Sequence, residues 1–157
     1  MRHIDNYAAG STQSFDELLI YYQQPARNIL ETISPRIAQA TTQFQNIVPN
    51  LEILNPIIFS KLEKETLISA YNDRPAGVRN AFMLMEESLA PIDRGLCPFC
   101  NLGEDCELDH YLPKNRFPEF SLFSSNLVPI CPKCNKHKSS VVKNKYGQRV
   151  GLYPFAD

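Results

Sequence analysis

Apolar residues recur along the first 95 residues with the spacing of amphipathic helices. Ser14 stands three residues before Glu17 and just ahead of Leu18 and Leu19, which is the pattern of a capping box at a helix start. Pro25 is expected to break or kink the first helix, because proline disrupts a helix interior. Pro35 and Pro56 are each expected to begin a helix, because proline suits the first helical position. The pattern predicts helices near residues 15–23, 26–33, 35–47, 56–71 and 76–89.

The predicted helices differ in how their apolar residues are arranged. Residues 56–71 sort into an apolar and a charged face, whereas Phe82 to Met85 form a continuous apolar run that predicts a buried helix. The first 13 residues are polar and are expected to be loosely held. Residues 91–95 are expected to separate this helical platform, residues 1–95, from a second domain, residues 96–157.

Composition and charge narrow the class of protein. A chain of 157 residues with 43% hydrophobic residues suffices for one or two small domains, and no apolar stretch approaches the length of a membrane span. Residues 1–95 carry 8 basic and 11 acidic residues, whereas residues 96–157 carry 8 and 6. The acidic half favours protein docking over nucleic-acid contact. The basic run between residues 131 and 149 favours phosphate contact, with a solvated basic tail as the alternative.

Four cysteines form two Cys-x-x-Cys pairs, Cys97 with Cys100 and Cys131 with Cys134. A two-residue gap lets a tight turn direct both thiolates at one ion, and two such turns complete the tetrahedral set of a structural Zn²⁺ site. Two disulfides or unconnected free thiols are the alternatives. Because the sequence shows no secretory signal, we expect a cytoplasmic, reducing location and zinc on the thiolates.

The fifth cysteine, Cys106, has acidic neighbours at positions 104, 105 and 107. Negative charges raise a thiol pKa and do not activate the thiol. We therefore expect a half-buried residue on a strand, with a nucleophile or a further metal ligand as the alternatives.

Between and beside the cysteine pairs lie Asp109, His110, Asn126 and Asn135. Phosphodiester hydrolysis needs a base that takes a proton from water and a cation that neutralises the phosphate. An imidazole is the natural base near neutral pH, and carboxylate and amide oxygens are ligands suited to Mg²⁺ or Mn²⁺. Neighbours on a strand point to opposite faces, so Asp109 and His110 can share a site only where the strand ends.

These residues, in this order, resemble the HNH endonuclease family over about residues 96–140. The resemblance implies an α+β class with a ββα-metal unit. It implies that Asp109 and Asn135 bind the catalytic ion, that His110 is the general base, and that Asn126 braces the loop that aims His110. Asn135 stands where the family often has His, which gives a His-Asn-Asn variant, and His137 is the alternative ligand. Cleavage would leave a 5′-phosphate.

The elements around these residues are expected as follows. Residues 112–120 form a loop, residues 121–130 a second strand, residues 131–142 the helix with Asn135, and residues 147–157 a strand or extended arm. Some members of the family continue past such a tail, which leaves open a shortening of this chain at Asp157.

Six basic residues are candidates for nucleic-acid contact: Lys114, Arg116, Lys136, Lys138, Lys143 and Lys145. Phe117 and Phe120 alternate with basic residues after His110 and suit either stacking on a nucleic-acid strand or packing under the zinc unit.

The segment from His110 to Phe120 looks like the HNH subunits of bacterial anti-phage systems, including the Septu type, in which the nuclease is paired with an ATPase. The resemblance implies a DNA substrate more than RNA, and an ATPase that docks on the helical platform. A zinc-stabilised nucleic-acid-binding module without activity, or an adaptor that binds only protein, is the alternative.

Overall fold

The helices of the N-terminal region account for most of its residues. The computed structural model of the protein describes residues 3–5, 7, 12–102, 105–138, 143–148, 151 and 153–156. Within them, the helices of this region are α1 (Phe15–Leu19), α2 (Ala26–Ile47), α3 (Lys61–Asn72), α4 (Ala76–Glu87) and α5 (Pro91–Gly95).

Serine residues cap two of these helices. Ser14 Oγ accepts from the Glu17 N–H at 3.3 Å, and the Ser14 N–H donates to the Glu17 carboxylate at 2.6 Å, so the predicted capping box is confirmed. Ser60 and Glu63 form the same box at the start of α3. The helix predicted from Pro56 therefore begins at Lys61 instead.

Helix α2 continues through Pro35, so the predicted break was wrong. A proline inside a helix leaves one carbonyl of the preceding turn without its N–H partner. Pro35 is exposed, so water can bond that carbonyl. The buried face of α2 continues on both sides of the proline through Leu30, Ile33, Ile37, Ala40 and Phe44. Burial of this continuous face outweighs the missing hydrogen bond.

Helix α4 buries one face only, so the expectation of a buried helix was wrong in part. The buried positions recur with the helical period at Val78, Ala81, Phe82 and Met85. Met83 and Leu84 lie between them in sequence but are 51% and 57% exposed.

One hydrophobic cluster includes residues from both sides of residue 95. At its centre, the Phe44 ring on α2 contacts Phe120 and Tyr153 with centroid distances of 5.2 and 5.9 Å. Phe117 and Phe120 are each 1% exposed, so they pack in this core and are not free to stack on a base. Helix α5 coincides with the predicted boundary, and the division into two domains stays a prediction.

The C-terminal region is built on a two-stranded antiparallel sheet of β1 (Glu107–His110) and β2 (Leu127–Ile130). Glu107 pairs with Ile130, and His110 pairs with Leu127. The second strand is shorter than predicted, because a 3₁₀ turn at Ser124–Asn126 precedes it. Helix α6 (Pro132–Lys138) follows, and residues 139–142 of the predicted helix lie outside the described residues.

Described residues near both ends of the chain pack on the core. Ile4 is 1% exposed and its N–H donates to the Pro154 carbonyl at 2.9 Å, so the expectation of a loosely held start was wrong for the described residues. Residues 153–156 form a turn and not the expected strand or extended arm, and Tyr153 and Phe155 are buried. Asp157 and Arg149 lie outside the described residues.

The α+β class is confirmed, with a helical N-terminal region and a small sheet in the C-terminal region. Among the described residues, no helix combines the length and the apolar character that a membrane crossing requires.

Candidate metal centre and active site

The four paired cysteines converge at one end of the sheet. Their sulfur atoms all lie within 4.8 Å of one another, and Cys100 Sγ lies 3.9 Å from Cys131 Sγ. Zn–S bonds of about 2.3 Å in a tetrahedron give sulfur–sulfur edges of about 3.8 Å. None of the five cysteines forms a disulfide in this structure, which argues against the two-disulfide alternative. The predicted cluster is confirmed, and its donor set and spacing fit a structural zinc ion.

The fifth thiol, Cys106, lies just before β1, outside this group of four. Burial and the neighbouring cysteine sulfurs raise its pKa to about 12. A thiol with so high a pKa stays protonated near neutral pH, which argues against the nucleophile alternative.

His110 ends β1, and its imidazole is only 2% exposed. Nε2 lies 2.9 Å from the Ser121 carbonyl oxygen. Because a carbonyl oxygen can only accept, Nε2 carries a hydrogen, and in the tautomer with one N–H the Nδ1 atom presents a lone pair. Among the described residues, Nδ1 is buried and has no hydrogen-bond partner.

Asp109 meets His110 at this strand end. Asp109 Oδ1 lies 3.7 Å from His110 Nδ1, beyond hydrogen-bond length, and Oδ2 lies 3.5 Å from Lys138 Nζ. Lys138 Nζ also donates to the His110 carbonyl at 2.7 Å. Burial acts to raise the pKa of Asp109, but its interaction with His110 and the charge of Lys138 outweigh burial and lower the pKa to about 2. Asp109 is therefore a carboxylate at neutral pH.

Asn126 is fully buried behind the loop that follows His110. Its Oδ1 accepts from the Leu112 N–H at 2.8 Å, and its Nδ2 donates to the carbonyls of Leu112 at 3.0 Å and Phe120 at 3.2 Å. The Tyr111 N–H in turn donates to the Asn126 carbonyl at 2.8 Å. The Asn126 side chain thus joins Leu112, just after β1, to Phe120, at the end of the 3₁₀ turn Pro118–Phe120.

Helix α6 directs its two candidate ligands to different places. Asn135 Nδ2 donates to Glu107 Oε1 at 3.3 Å, and Glu107 shares a strand face with Asp109 because side chains alternate along β1. His137 is exposed and lines a surface cavity with Cys100 and Leu102, beside the cysteine cluster. Of the two, Asn135 is the one that faces the strand bearing Asp109.

A cavity of about 110 Å³ opens at His110, lined by Asp109, His110, Pro113, Lys114, Asn115 and Lys138. Two of the predicted basic residues, Lys114 and Lys138, therefore lie at the site. Arg116 contacts the Phe117 ring and Lys145 the Tyr146 ring. Lys136 is exposed and Lys143 half-buried, and neither lines this cavity.

Two neighbours of the site were not among the predicted residues. Tyr71, at the end of α3, packs its ring against the His110 imidazole with centroids 4.2 Å apart. Nothing in the sequence links the two, because the contact crosses 39 positions of the chain and depends on packing. Glu107 could have been predicted from the sequence, because a residue two positions before Asp109 on a strand lies on the same face as Asp109.

The comparisons with known proteins match part of the chain. Residues 97–140 match the family described as HNH endonuclease. A stretch of 62 residues is 37% identical to Protein ea31 of Escherichia phage lambda and covers 39% of this chain and 21% of that protein. The chain thus matches only a small part of that relative's length, and no solved structure matches it significantly. By this match, residues 97–140 form an HNH endonuclease domain.

Proposed function

We propose that the protein is a metal-dependent HNH endonuclease in which His110 takes the proton from the attacking water. The observation that carries this is the state of the imidazole. Its Nε2 is held by the Ser121 carbonyl, its Nδ1 is buried with no hydrogen-bond partner among the described residues, and His110 lines a small cavity. A base must present a lone pair to the attacking water, and Nδ1 is the imidazole nitrogen left for this role.

Asp109 and Asn135 are proposed to hold the catalytic Mg²⁺ or Mn²⁺. The donors fit a hard cation: Asp109 is an ionised carboxylate beside the ammonium of Lys138, and Asn135 donates through Nδ2, which leaves its amide oxygen as a ligand atom. A divalent ion bound there supplies charge neutralisation at the phosphate.

Asn126 is proposed to act at a distance from the reaction. Its contacts fix the backbone on both sides of residues 112–120, and Lys114 of this loop lines the cavity. The cysteine cluster is proposed to hold structural zinc, because a two-stranded sheet with a seven-residue helix builds little core of its own.

The test is cleavage of supercoiled plasmid DNA with Mg²⁺, with Mn²⁺ and without added metal. We expect metal-dependent nicking by the parent chain and a loss of about 10²–10⁴ in rate for His110→Ala. His110→Ala should keep its zinc and bind Mn²⁺ as the parent does, whereas Asp109→Ala and Asn135→Ala should lose Mn²⁺ affinity as well as cleavage.

His137→Ala is the matched control on α6, and it should cut like the parent. A loss of cleavage in His137→Ala with an active Asn135→Ala would transfer the ligand role to His137. Parental cleavage by all four variants would overturn the nuclease proposal and leave a zinc-stabilised binding module, which a gel shift without cleavage identifies.

We further propose DNA as the substrate and anti-phage defence with an ATPase partner as the setting. The resemblance of residues 110–120 to the nuclease subunits of such systems supports this, as does the net acidic helical region, which suits protein docking. Parallel assays on duplex DNA, single-stranded DNA and RNA test the substrate. The partner proposal fails if an ATPase of the same host neither binds the purified chain nor changes its cleavage rate.

A further inference from the structure

The helical N-terminal region reaches the candidate active site through Tyr71. The hydroxyl of this residue donates to the Leu108 carbonyl at 2.9 Å, which ties α3 to the strand that bears Asp109 and His110. Its ring meets the His110 imidazole at 66° with centroids 4.2 Å apart. Tyr71 therefore links α3 directly to His110 and to the strand that bears it.

Two cations lie over the same aromatic ring. The Arg74 guanidinium carbon lies 4.2 Å from the Tyr71 ring centroid and 5.6 Å from that of Phe82, and Lys114 Nζ lies 4.8 Å from the Tyr71 centroid. The Arg79 guanidinium donates to the Arg74 carbonyl at 2.5 Å, which fixes the backbone at this point. Stacking on an aromatic face orders the guanidinium plane and leaves its edge, with its N–H donors, available.

Tyr71, Arg74, Arg79 and Phe82 form one wall of a second cavity, of about 490 Å³, which Asp109 also lines. Arg74, Arg79 and Glu86 come from the helical region, and Glu107 and Asp109 come from β1. Among the described residues, no carboxylate lies within ion-pair distance of Arg74. The half-buried guanidinium therefore lies at the cleft without a direct ion pair among the described residues, although three carboxylates line the same cavity.

We propose that Arg74, stacked on Tyr71 and assisted by Lys114, binds the phosphate backbone of the nucleic acid beside the phosphate cleaved at His110. The inference rests on the proposed nuclease function and extends it. It makes the helical region one wall of the substrate cleft, although the total charge of that region is acidic. A planar guanidinium matches the two oxygens of a phosphate, and carboxylates across the cleft suit a metal ion on the same backbone.

The experiment measures binding and cleavage separately. A His110→Ala background prevents cleavage, so the affinity for a short DNA duplex can be measured with Mg²⁺ present over a range of salt concentrations. Arg74→Gln removes the charge but keeps a planar group over Tyr71, and Arg74→Lys keeps the charge. Arg27→Ala is the control, since Arg27 is an arginine on α2 that pairs with Glu31 at 2.7 Å.

We expect Arg74→Gln to weaken binding about tenfold and to reduce the slope of log affinity against log salt by about 0.9, the value for one lost phosphate contact on duplex DNA. With His110 present, the same change should raise KM more than it lowers kcat. Arg74→Lys should keep the parental slope, and Arg27→Ala should keep both slope and affinity.

If Arg74→Gln keeps the parental salt slope, the proposal is overturned. The same holds if only kcat falls, because Arg74 would then act only by supporting Tyr71. If Arg74→Gln fails to fold, judged by zinc content and cooperative unfolding, Lys114→Ala decides. An unchanged salt slope and affinity in that variant would then contradict the proposal. A parent chain that neither cuts nor binds nucleic acid is a different result, and it removes the nuclease proposal itself.

Discussion

Replacement of Asn126 by alanine tests whether this buried amide holds the loop after His110. The change deletes three hydrogen bonds, of 2.8, 3.0 and 3.2 Å, at a side chain with 0% exposure. The Leu112 N–H loses its acceptor and stays buried. The Phe120 carbonyl keeps a second donor, the Phe123 N–H at 3.3 Å.

The expected loss of unfolding free energy follows from which groups lose their hydrogen-bond partner and which keep one. An unsatisfied buried donor costs about 1–3 kcal/mol, and each lost hydrogen bond about 1 kcal/mol, so Asn126→Ala should lose roughly 3–5 kcal/mol of unfolding free energy. Natural domains have about 5–15 kcal/mol in total. The variant should therefore unfold at a much lower urea concentration with a similar m-value.

Urea unfolding in zinc-containing buffer measures the loss. Asn80→Ala is the matched control, because Asn80 is an exposed asparagine on α4 and its removal should change stability by less than about 0.5 kcal/mol. Asn126→Asp keeps one acceptor but directs a second oxygen at two carbonyls, so it should also destabilise, and less so in acid, where a protonated carboxyl can donate. A loss below about 1 kcal/mol for Asn126→Ala would refute the bracing role.

Further predictions concern the metal cluster, the helix contact and one buried carboxyl. Cys131→Ser should give unfolded or zinc-free protein by elemental analysis, whereas Cys106→Ser, outside the cluster, should keep one zinc per chain. Tyr71→Phe removes the 2.9 Å bond to Leu108 and should lose about 1 kcal/mol in urea unfolding, with cleavage largely kept because the ring remains. Burial raises the pKa of Glu119, so the folded state binds this proton more tightly than the unfolded state. The contribution of Glu119 to stability should therefore increase as pH falls through the raised pKa, and Glu119→Gln should lose that increase in unfolding measured against pH.

Local patterns predicted the parts of the fold that depend on short-range chemistry. The capping box at Ser14 joins residues three apart, and each of the two Cys-x-x-Cys pairs has the same spacing. The box and the cysteine cluster are both confirmed. The box at Ser60 has the same Ser-x-x-Glu spacing and was overlooked because the proline at 56 suggested an earlier start. The start of α3 after Ser60 could therefore have been predicted from the sequence.

Other features depend on packing, which spacing does not encode. Pro35 was expected to begin a new helix at residue 35, but its exposed position and the buried face of α2 keep one helix intact through it. Phe117 and Phe120 suited two roles in sequence, and only their contact with a core that includes Phe44 decides between them. The contact of Tyr71 with His110 is of this kind, so the contribution of the helical region to the site could not be predicted.

The short sheet explains why the metal cluster and the candidate active site belong to one unit. β1 and β2 pair over only four residues each, and Pro129 of β2 cannot donate a ladder hydrogen bond. A slip of one position would turn every side chain of β1 to the opposite face and would separate Asp109 from Lys138. The pairing is held at both ends: Glu107 lies opposite Ile130, next to Cys131, and His110 lies opposite Leu127, next to Asn126. Loss of the zinc cluster should therefore misplace Asp109 and His110 even though the cysteines do not line their cavity.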